Sequence, residues 1–278
     1  MKEIFAILFS VVLAASSTFE ATAQFTVDRQ YPTLMNETVR RATGGNRSAL
    51  SGVRSDSTRF RIGARIPREI EEQRKVSPTD LAAYKDFLGK PDTGIFKLLA
   101  RTKCNVRENA EAYKMCVEKQ ATIRFFATSY SLRENRHVSE QLGDLVLWED
   151  QLIADGKGLQ TIMVQLGDVP LDSISLASGD VEYLAQFPLA TTVTEAQKQA
   201  DELAKGVTFG HHQYWSSVWA RPETPYAIRS IAYSLKHQSI NAGPNGDVIA
   251  AFRIIRRDPE GSVTIIWKEL QRRKAPTF

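Results

Sequence analysis

The stretch at residues 247–270, DVIAAFRIIRRDPEGSVTIIWKEL, decides the fold, because it places a turn between two strand-like runs. Its centre, Asp-Pro-Glu-Gly at 258–261, has proline second and glycine fourth, as a β-turn favours. A four-residue loop there pairs Arg257 with Ser262. That register predicts two apolar pairs: Phe252 opposite Trp267, and Ile254 opposite Ile265. Because side chains alternate along a strand, one face of this hairpin is predicted to be apolar throughout. It comprises Ala250, Phe252, Ile254, Val263, Ile265 and Trp267.

Further strand-like runs precede this hairpin. They occupy residues 121–132, 142–153, 159–168, 211–220 and 224–236. These runs are rich in β-branched and aromatic residues and are separated by turn residues. The sequence therefore predicts an α+β protein with a mostly antiparallel β-sheet of six to eight strands, two or three helices and a C-terminal β-meander.

Two helices have clear start and stop signals. In SPTDLAAYKDFLGKP, Ser77 is the predicted N-cap, Pro78 the first helical residue, and Gly89 with Pro91 the end. In TEAQKQADELAKG, Thr194 is the predicted cap and the helix ends at Gly206. Its predicted inner stripe consists of Ala196, Ala200, Leu203 and Val207.

Residues 1–23 predict a secretory signal peptide. Lys2 precedes an apolar run, and Ala-Thr-Ala at 21–23 fits the cleavage pattern, with cleavage after Ala23. A buried N-terminal helix is the alternative. No later stretch approaches the roughly 20 apolar residues of a transmembrane helix, so we expect a secreted or periplasmic protein without a membrane span.

Residues 24–76 have the composition of a basic, flexible arm. Residues 24–75 contain ten arginines and one lysine against six acidic residues, and no apolar period persists. The arm is either a solvated tether or an anchor to an anionic envelope polymer. Nucleic acid is a poor candidate partner, since export removes the protein from it. The globular α+β domain is predicted at 77–278.

Cys104 and Cys116 are the only cysteines of the chain. An even count in an exported protein predicts one disulfide, with two buried thiols as the alternative. The eleven residues between them fit neither a zinc site nor the C-x-x-C of a redox centre.

The segment FGHHQYWSSVW at 209–219 concentrates histidine and aromatic side chains. On a regular strand of the C-terminal sheet, His211 and His212 point to opposite faces and cannot share a metal ion. A metal site would need His137, His237 or distant carboxylates. We predict no metal ligand here, but a candidate binding surface formed by His211, Trp215 and Trp219, which share one strand face.

No hydrolase signature such as G-x-S-x-G or H-E-x-x-H occurs, and no catalytic residue or cofactor is predicted. The sequence does not place Glu149 near Asp168 or Asp180, so it predicts no catalytic carboxylate pair. We therefore expect a non-catalytic binding or structural protein of the bacterial envelope or exterior. The alternative is an exported hydrolase that uses histidine and carboxylate chemistry.

Three segments carry a resemblance to a protein family. IMVQLGDVPLDSISL (162–176), YAIRSIAYSLK (226–236) and the stretch at 247–270 are similar to segments of uncharacterised exported bacterial proteins. The resemblance spans roughly residues 90–270 and excludes the basic arm. It implies a bacterial exported domain and transfers no site residue.

Overall fold

The computed structural model describes residues 66–101, 104, 109–154, 159–234 and 245–278. The predicted signal peptide, the predicted arm up to residue 65, residues 155–158 and His237 lie outside these residues. The strands of the described part are β1 Thr93–Leu98, β2 Ser129–Ser131, β3 Arg136–His137, β4 Leu145–Trp148, β5 Gln151–Ile153, β6 Leu159–Gln165, β7 Val207–Phe209, β8 His212–Tyr214, β9 Ser217–Trp219, β10 Pro225–Ala232, β11 Gly246–Arg257 and β12 Val263–Arg273. The α-helices are α1 Arg68–Gln73, α2 Pro78–Ala83, α3 Lys85–Leu88, α4 Ala110–Phe126, α5 Gly179–Gln186 and α6 Val193–Lys205.

The predicted α+β class is confirmed, and the antiparallel strands divide between two five-stranded sheets and one hairpin. The first sheet has the order β1-β12-β11-β10-β6, so the C-terminal meander forms its centre. The second has the order β3-β2-β4-β5-β9, and β7 pairs with β8 alone. Two sheets form because each has an apolar face, and packing these two faces against each other removes both from water.

The C-terminal hairpin has the predicted register in its core. Phe252 lies opposite Trp267, and Ile254 lies opposite Ile265. Near the turn the register shifts by one residue at Ile255, so Arg257 pairs with Val263 instead of the predicted Ser262. This β-bulge inserts one extra residue in β11, which is a common irregularity of antiparallel pairs. The sequence analysis did not predict it.

The predicted apolar face forms the core between the two sheets. It packs against the inner face of the second sheet, in particular Tyr130, Leu145, Leu147 and Leu152. The opposite face of the first sheet, which includes Ile162 and Ile249, packs against Leu184 of α5 and Leu203 of α6. The first sheet is therefore the middle layer between the second sheet and the helices.

Two buried carboxylates join these layers. Asp144 accepts hydrogen bonds from Ser230 Oγ of the first sheet (2.5 Å), from Ser131 Oγ of the second (3.0 Å) and from Arg133 Nε on the loop after β2 (2.7 Å). On the other side, Arg229 donates two hydrogen bonds to Asp247 and two more to backbone carbonyls at the end of α5. Buried charges paired in this way fix the arrangement of the layers, because losing one partner leaves an uncompensated buried charge.

The predicted helices are present with altered bounds. Ser77 caps α2 by accepting a hydrogen bond from Asp80 N, as expected, but the helix breaks at Tyr84 into α2 and α3. The second predicted helix is α6, and its cap is Thr192 instead of Thr194. The Thr192 hydroxyl accepts a hydrogen bond from Glu195 N, and the Glu195 carboxylate accepts one from Thr191 N, the residue before the cap, so this cap lies two residues earlier than predicted.

Two segments differ from their predictions. Residues 121–126, predicted as strand, form the last turns of α4, where Ile123 and Phe126 pack against Ile70. Helix α1 lies within the predicted arm, and its Ile70 is buried, so the ordered domain extends N-terminally beyond Ser77. Tertiary contacts override the strand propensity of the aromatic residues in α4.

Candidate functional site

The second sheet carries two tryptophans in one row across three strands. Trp148 at the end of β4 pairs with Gln151 of β5, which pairs with Trp219 at the end of β9. Directly paired residues of neighbouring strands project from the same face of a sheet. We call Trp148, Gln151 and Trp219 the tryptophan row.

The row faces outward because the adjacent row faces the core. Leu147 and Leu152, which pair with each other, lie in the core between the sheets, and Val218 packs against it. Side chains alternate along a strand, so the tryptophans point the other way. Trp148 and Trp219 keep 40% and 47% of their surfaces exposed. These values are high for large apolar side chains and identify the row as a surface that a ligand can reach.

The sheet sets the separation of the two tryptophans. Neighbouring strands lie about 4.8 Å apart, so the backbones of Trp148 and Trp219 are separated by roughly 10 Å, with the Gln151 amide between them. The row therefore presents two aromatic rings and one group that can both donate and accept hydrogen bonds.

Contacts with the first sheet hold the row in place. The buried Tyr226 of β10 donates its hydroxyl hydrogen to the carbonyl of Trp219 at 2.6 Å. Burial raises the pKa of Tyr226, so this hydroxyl stays a donor at neutral pH. At the other end, Ala220 N donates to the carbonyl of Asp150 at 2.7 Å, and the Asp150 carboxylate pairs with Arg257 of β11. Trp148 and Trp219 thus sit on strands fixed at both ends.

A positive charge lies beside the row. The guanidinium carbon of Arg101 is 3.7 Å from the centroid of the Trp148 ring, within the range of a cation–π contact. The Arg101 Nη2 atom is also 3.8 Å from Glu140 Oε1. Arg101 therefore orients the Trp148 ring and adds a cationic edge to the surface.

The structure separates the residues of the predicted binding surface. His211 lies in the turn between β7 and β8, Trp215 forms a bridge to Met163 of β6, and Trp219 belongs to β9. The predicted regular strand over 209–219 is wrong, because the chain reverses at Gly210, whose φ of 60° suits glycine. The hairpin also lies outside the C-terminal sheet. Whether His211, Trp215 and Trp219 bind a ligand stays a prediction.

The Trp215 side chain packs against the end of α6. A Cβ atom on Gly206 would lie 2.5 Å from the Trp215 ring, and Gly206 adopts a φ of 82°. The ring lies directly over the glycine, which explains why glycine ends α6 at this point. Trp219 is thus the member of the predicted set that the structure places in an exposed aromatic row.

His212 lies beside the carboxylate of Asp180, a contact that the sequence did not predict. Its Nε2 atom is 2.6 Å from Asp180 Oδ1 of α5, and the Tyr214 hydroxyl donates to the Asp180 carbonyl at 2.9 Å. Beside this pair, the ring of Tyr183 stacks on Phe209 and lies tilted against the ring of Tyr214. Within the described residues, no cluster of three or more histidine, cysteine, aspartate or glutamate side chains could hold a metal ion. The prediction that neither histidine binds metal remains to be tested on the purified protein.

Cys104 and Cys116 form the predicted disulfide, which ties the segment before α4 to the second turn of that helix. Both sulfur atoms are in the covalent bridge, so the disulfide-bonded protein offers no thiolate from these two cysteines. Of the helices in the described part of the chain, none is long and apolar enough to cross a membrane.

Sequence reasoning missed the row because its tryptophans are 71 positions apart in the chain. One local signal pointed to Trp148. In LVLWEDQLI, two strand-like runs flank the two-residue turn at 149–150, so Trp148 and Gln151 would pair directly and share a face. Nothing local indicates that β9 pairs with β5. Comparison of the chain with protein-family models, curated proteins and solved structures gives no match.

Proposed function

We propose that this chain is an exported, non-catalytic binding protein of the bacterial envelope or exterior, and that the tryptophan row contacts a glycan chain. The observation that carries the proposal is the placement of Trp148 and Trp219 on one exposed sheet face. Tryptophan dominates binding energy at interfaces because it offers a large, rigid surface at small conformational cost. Exposed tryptophans fixed on strands are typical of a binding site.

The shape and chemistry of the row favour a glycan. A sugar ring has an apolar C–H face and a rim of hydroxyl groups, so it stacks on an indole while its hydroxyls bond to polar groups. Two rings about 10 Å apart with an amide between them suit an extended chain of linked sugars. Gln151 supplies the donor and acceptor that the hydroxyls need.

Two observations support export. The sequence of residues 1–23 has the order of a cleavable signal peptide, and the mature part contains a disulfide, which persists in oxidising compartments. The resemblance to exported bacterial proteins agrees with this assignment. N-terminal sequencing of periplasmic or secreted material is expected to begin at Gln24. Recovery of the chain from the cytoplasm with Met1 intact would contradict export.

Binding is tested with the mature chain and insoluble glycans. Co-sedimentation with purified cell-wall sacculi, chitin or cellulose measures the affinity of the wild type, Trp148→Ala and Trp219→Ala. Each substitution is expected to weaken binding about fivefold to tenfold, since one aromatic stacking contact contributes about 1 kcal/mol.

Phe209→Ala is the matched control. Phe209 is 45% exposed, similar to both tryptophans, but lies on the separate β7–β8 hairpin. It is expected to bind like the wild type. Failure of the wild type to bind any of these glycans, or equal losses for Phe209→Ala and the tryptophan variants, would refute the proposed site.

A second function has one observation in its favour. The His212–Asp180 pair resembles the base and orienting carboxylate of a hydrolase. If the chain hydrolyses glycans, the wild type releases reducing ends from the same sacculi and His212→Ala abolishes that release. Our proposal predicts no release by either protein, and any activity that depends on His212 would favour the hydrolase.

A further inference from the structure

We infer that the cleft between the end of β12 and the start of β11 is a binding site for an oxyanion, a phosphate or carboxylate group. The cleft has a volume of about 360 Å³, and Arg133 on the loop that joins β2 to β3 forms one of its walls. Its lining residues are Arg133, Asn245, Gly246, Arg272, Arg273 and Lys274. We call these residues the basic cleft. The inference does not depend on the glycan proposal.

Positive charge predominates at the cleft. Four of its six lining residues are arginine or lysine, and none is acidic. The carboxylates that pair with the arginines lie outside the lining: Asp144 with Arg133, Asp247 with Arg273, and Glu269 with Arg272. Asp247 is also shared with Arg229. Counted over the described residues alone, Lys274 and these four arginines outnumber the three carboxylates by two, an excess of positive charge that attracts anions.

The walls of the cleft are held rigidly. Arg133 is buried, and its Nε and Nη2 atoms donate to Asp144 (2.7 Å) and to the Leu142 carbonyl (3.1 Å). Arg272 crosses to the second sheet, where its terminal nitrogens donate to the carbonyls of Arg133 (2.7 Å) and Leu132 (3.2 Å). Preorganised cations of this kind bind an anion without first losing the conformational entropy of long side chains.

Two side chains retain donors for a ligand. Arg273 uses its Nε atom for Asp247 at 3.0 Å, and among the described residues its two terminal nitrogens make no hydrogen bond. The Lys274 ammonium likewise has no partner within the described part of the chain. A guanidinium presents its two terminal N–H groups as a fork that matches the two oxygens of a phosphate or carboxylate. Lys274 adds a further charge at the rim.

The site has the size for a charged group on a larger molecule. A volume of about 360 Å³ lies near the lower end of ligand clefts, enough for one phosphate or carboxylate with its attached group. A free small anion and a charged polymer would use the same contacts. Titration with inorganic phosphate and with poly(glycerol phosphate) therefore separates the two sources.

The experiment measures the melting temperature and calorimetric binding of the mature chain at constant ionic strength, with chloride replaced by each anion. Ligand that binds only the folded state raises the melting temperature. Lys274→Gln and Arg273→Gln are expected to weaken binding about fivefold each, the loss of roughly one exposed charge contact. Arg273→Gln leaves Asp247 paired with Arg229, and Lys274→Gln removes a side chain without a described partner, so both variants should fold.

Lys205→Gln at the end of α6 is the matched control, because Lys205 is likewise exposed but is not among the residues that line the cleft. It is expected to bind as the wild type does. Binding of both anions supports recognition of the oxyanion itself, and binding of the polymer alone supports a charged polymer. If neither anion stabilises the protein more than chloride does, or if Lys274→Gln, Arg273→Gln and Lys205→Gln behave alike, the inference is wrong.

Discussion

Acidification should destabilise this protein through His137, whose surroundings disfavour its charged form. The imidazole packs edge-on against the rings of Tyr130 and Phe96, at centroid distances of 5.3 and 6.4 Å. Its Nδ1 atom donates to the Ser129 carbonyl at 3.1 Å. Burial, and to a smaller extent the positive charge of Arg74, lower the pKa of His137 from 6.5 to about 4.

The size of the effect follows from the two pKa values. Well above pH 6.5 the histidine is neutral in both the folded and the unfolded chain, so its titration takes nothing from the free energy of unfolding. As the pH falls from 6.5 to about 4, the unfolded chain takes up a proton that the folded chain excludes. Each pH unit in this window removes about 1.4 kcal/mol from the free energy of unfolding, about 3 kcal/mol in all.

Urea denaturation at a series of pH values between 7 and 4, followed by tryptophan fluorescence, measures this loss. His137→Gln retains an N–H donor and does not titrate. Its free energy of unfolding is expected to fall by about 3 kcal/mol less than that of the wild type across the window. The matched control is His211→Gln, because His211 is exposed in the β7–β8 turn. It should follow the wild-type profile.

Parallel pH profiles for the wild type and His137→Gln would refute the reasoning. So would a directly measured pKa near 6.5 for His137 in the folded protein by NMR titration. Either result would mean that the folded protein does not disfavour the charged form of the imidazole, despite its aromatic neighbours.

Three further predictions concern the N-terminus, the disulfide and the histidines. A chain that begins at Ile66 should be as stable as the mature protein. A chain that begins at Ser77 lacks the buried Ile70, so its free energy of unfolding in urea denaturation should be lower by about 2 kcal/mol. Equal stability of the two truncations would contradict the extended domain. Reduction of the disulfide, with its sequence separation of 12, should cost about 3 kcal/mol, and an unchanged urea midpoint in reductant would count against this. Elemental analysis should find no stoichiometric metal in the wild type; metal that disappears in His211→Ala or His212→Ala would overturn this prediction.

Local patterns account for what the sequence predicted correctly. The pairs Phe252–Trp267 and Ile254–Ile265 followed from a turn and a period-two pattern within 24 residues, where few alternative registers exist. The Ser77 cap and the cysteine bridge are equally local. The misplaced strand at 121–126 shows the limit of such reasoning, because aromatic and β-branched residues there serve the buried side of a helix instead.

The sequence by itself determined the fold class, the central hairpin and its apolar face, because alternation and turn chemistry act between neighbouring residues. Tertiary structure decided the two candidate sites. Trp148 and Trp219 lie in one row only because β9 pairs with β5. Arg272 hydrogen-bonds to the Arg133 carbonyl across 139 positions of the chain. Alternation specifies which face of a strand is buried but leaves open which other strand lies beside it. That choice depends on how all the strands together bury their apolar faces and satisfy their backbone hydrogen bonds, which is a property of the whole chain.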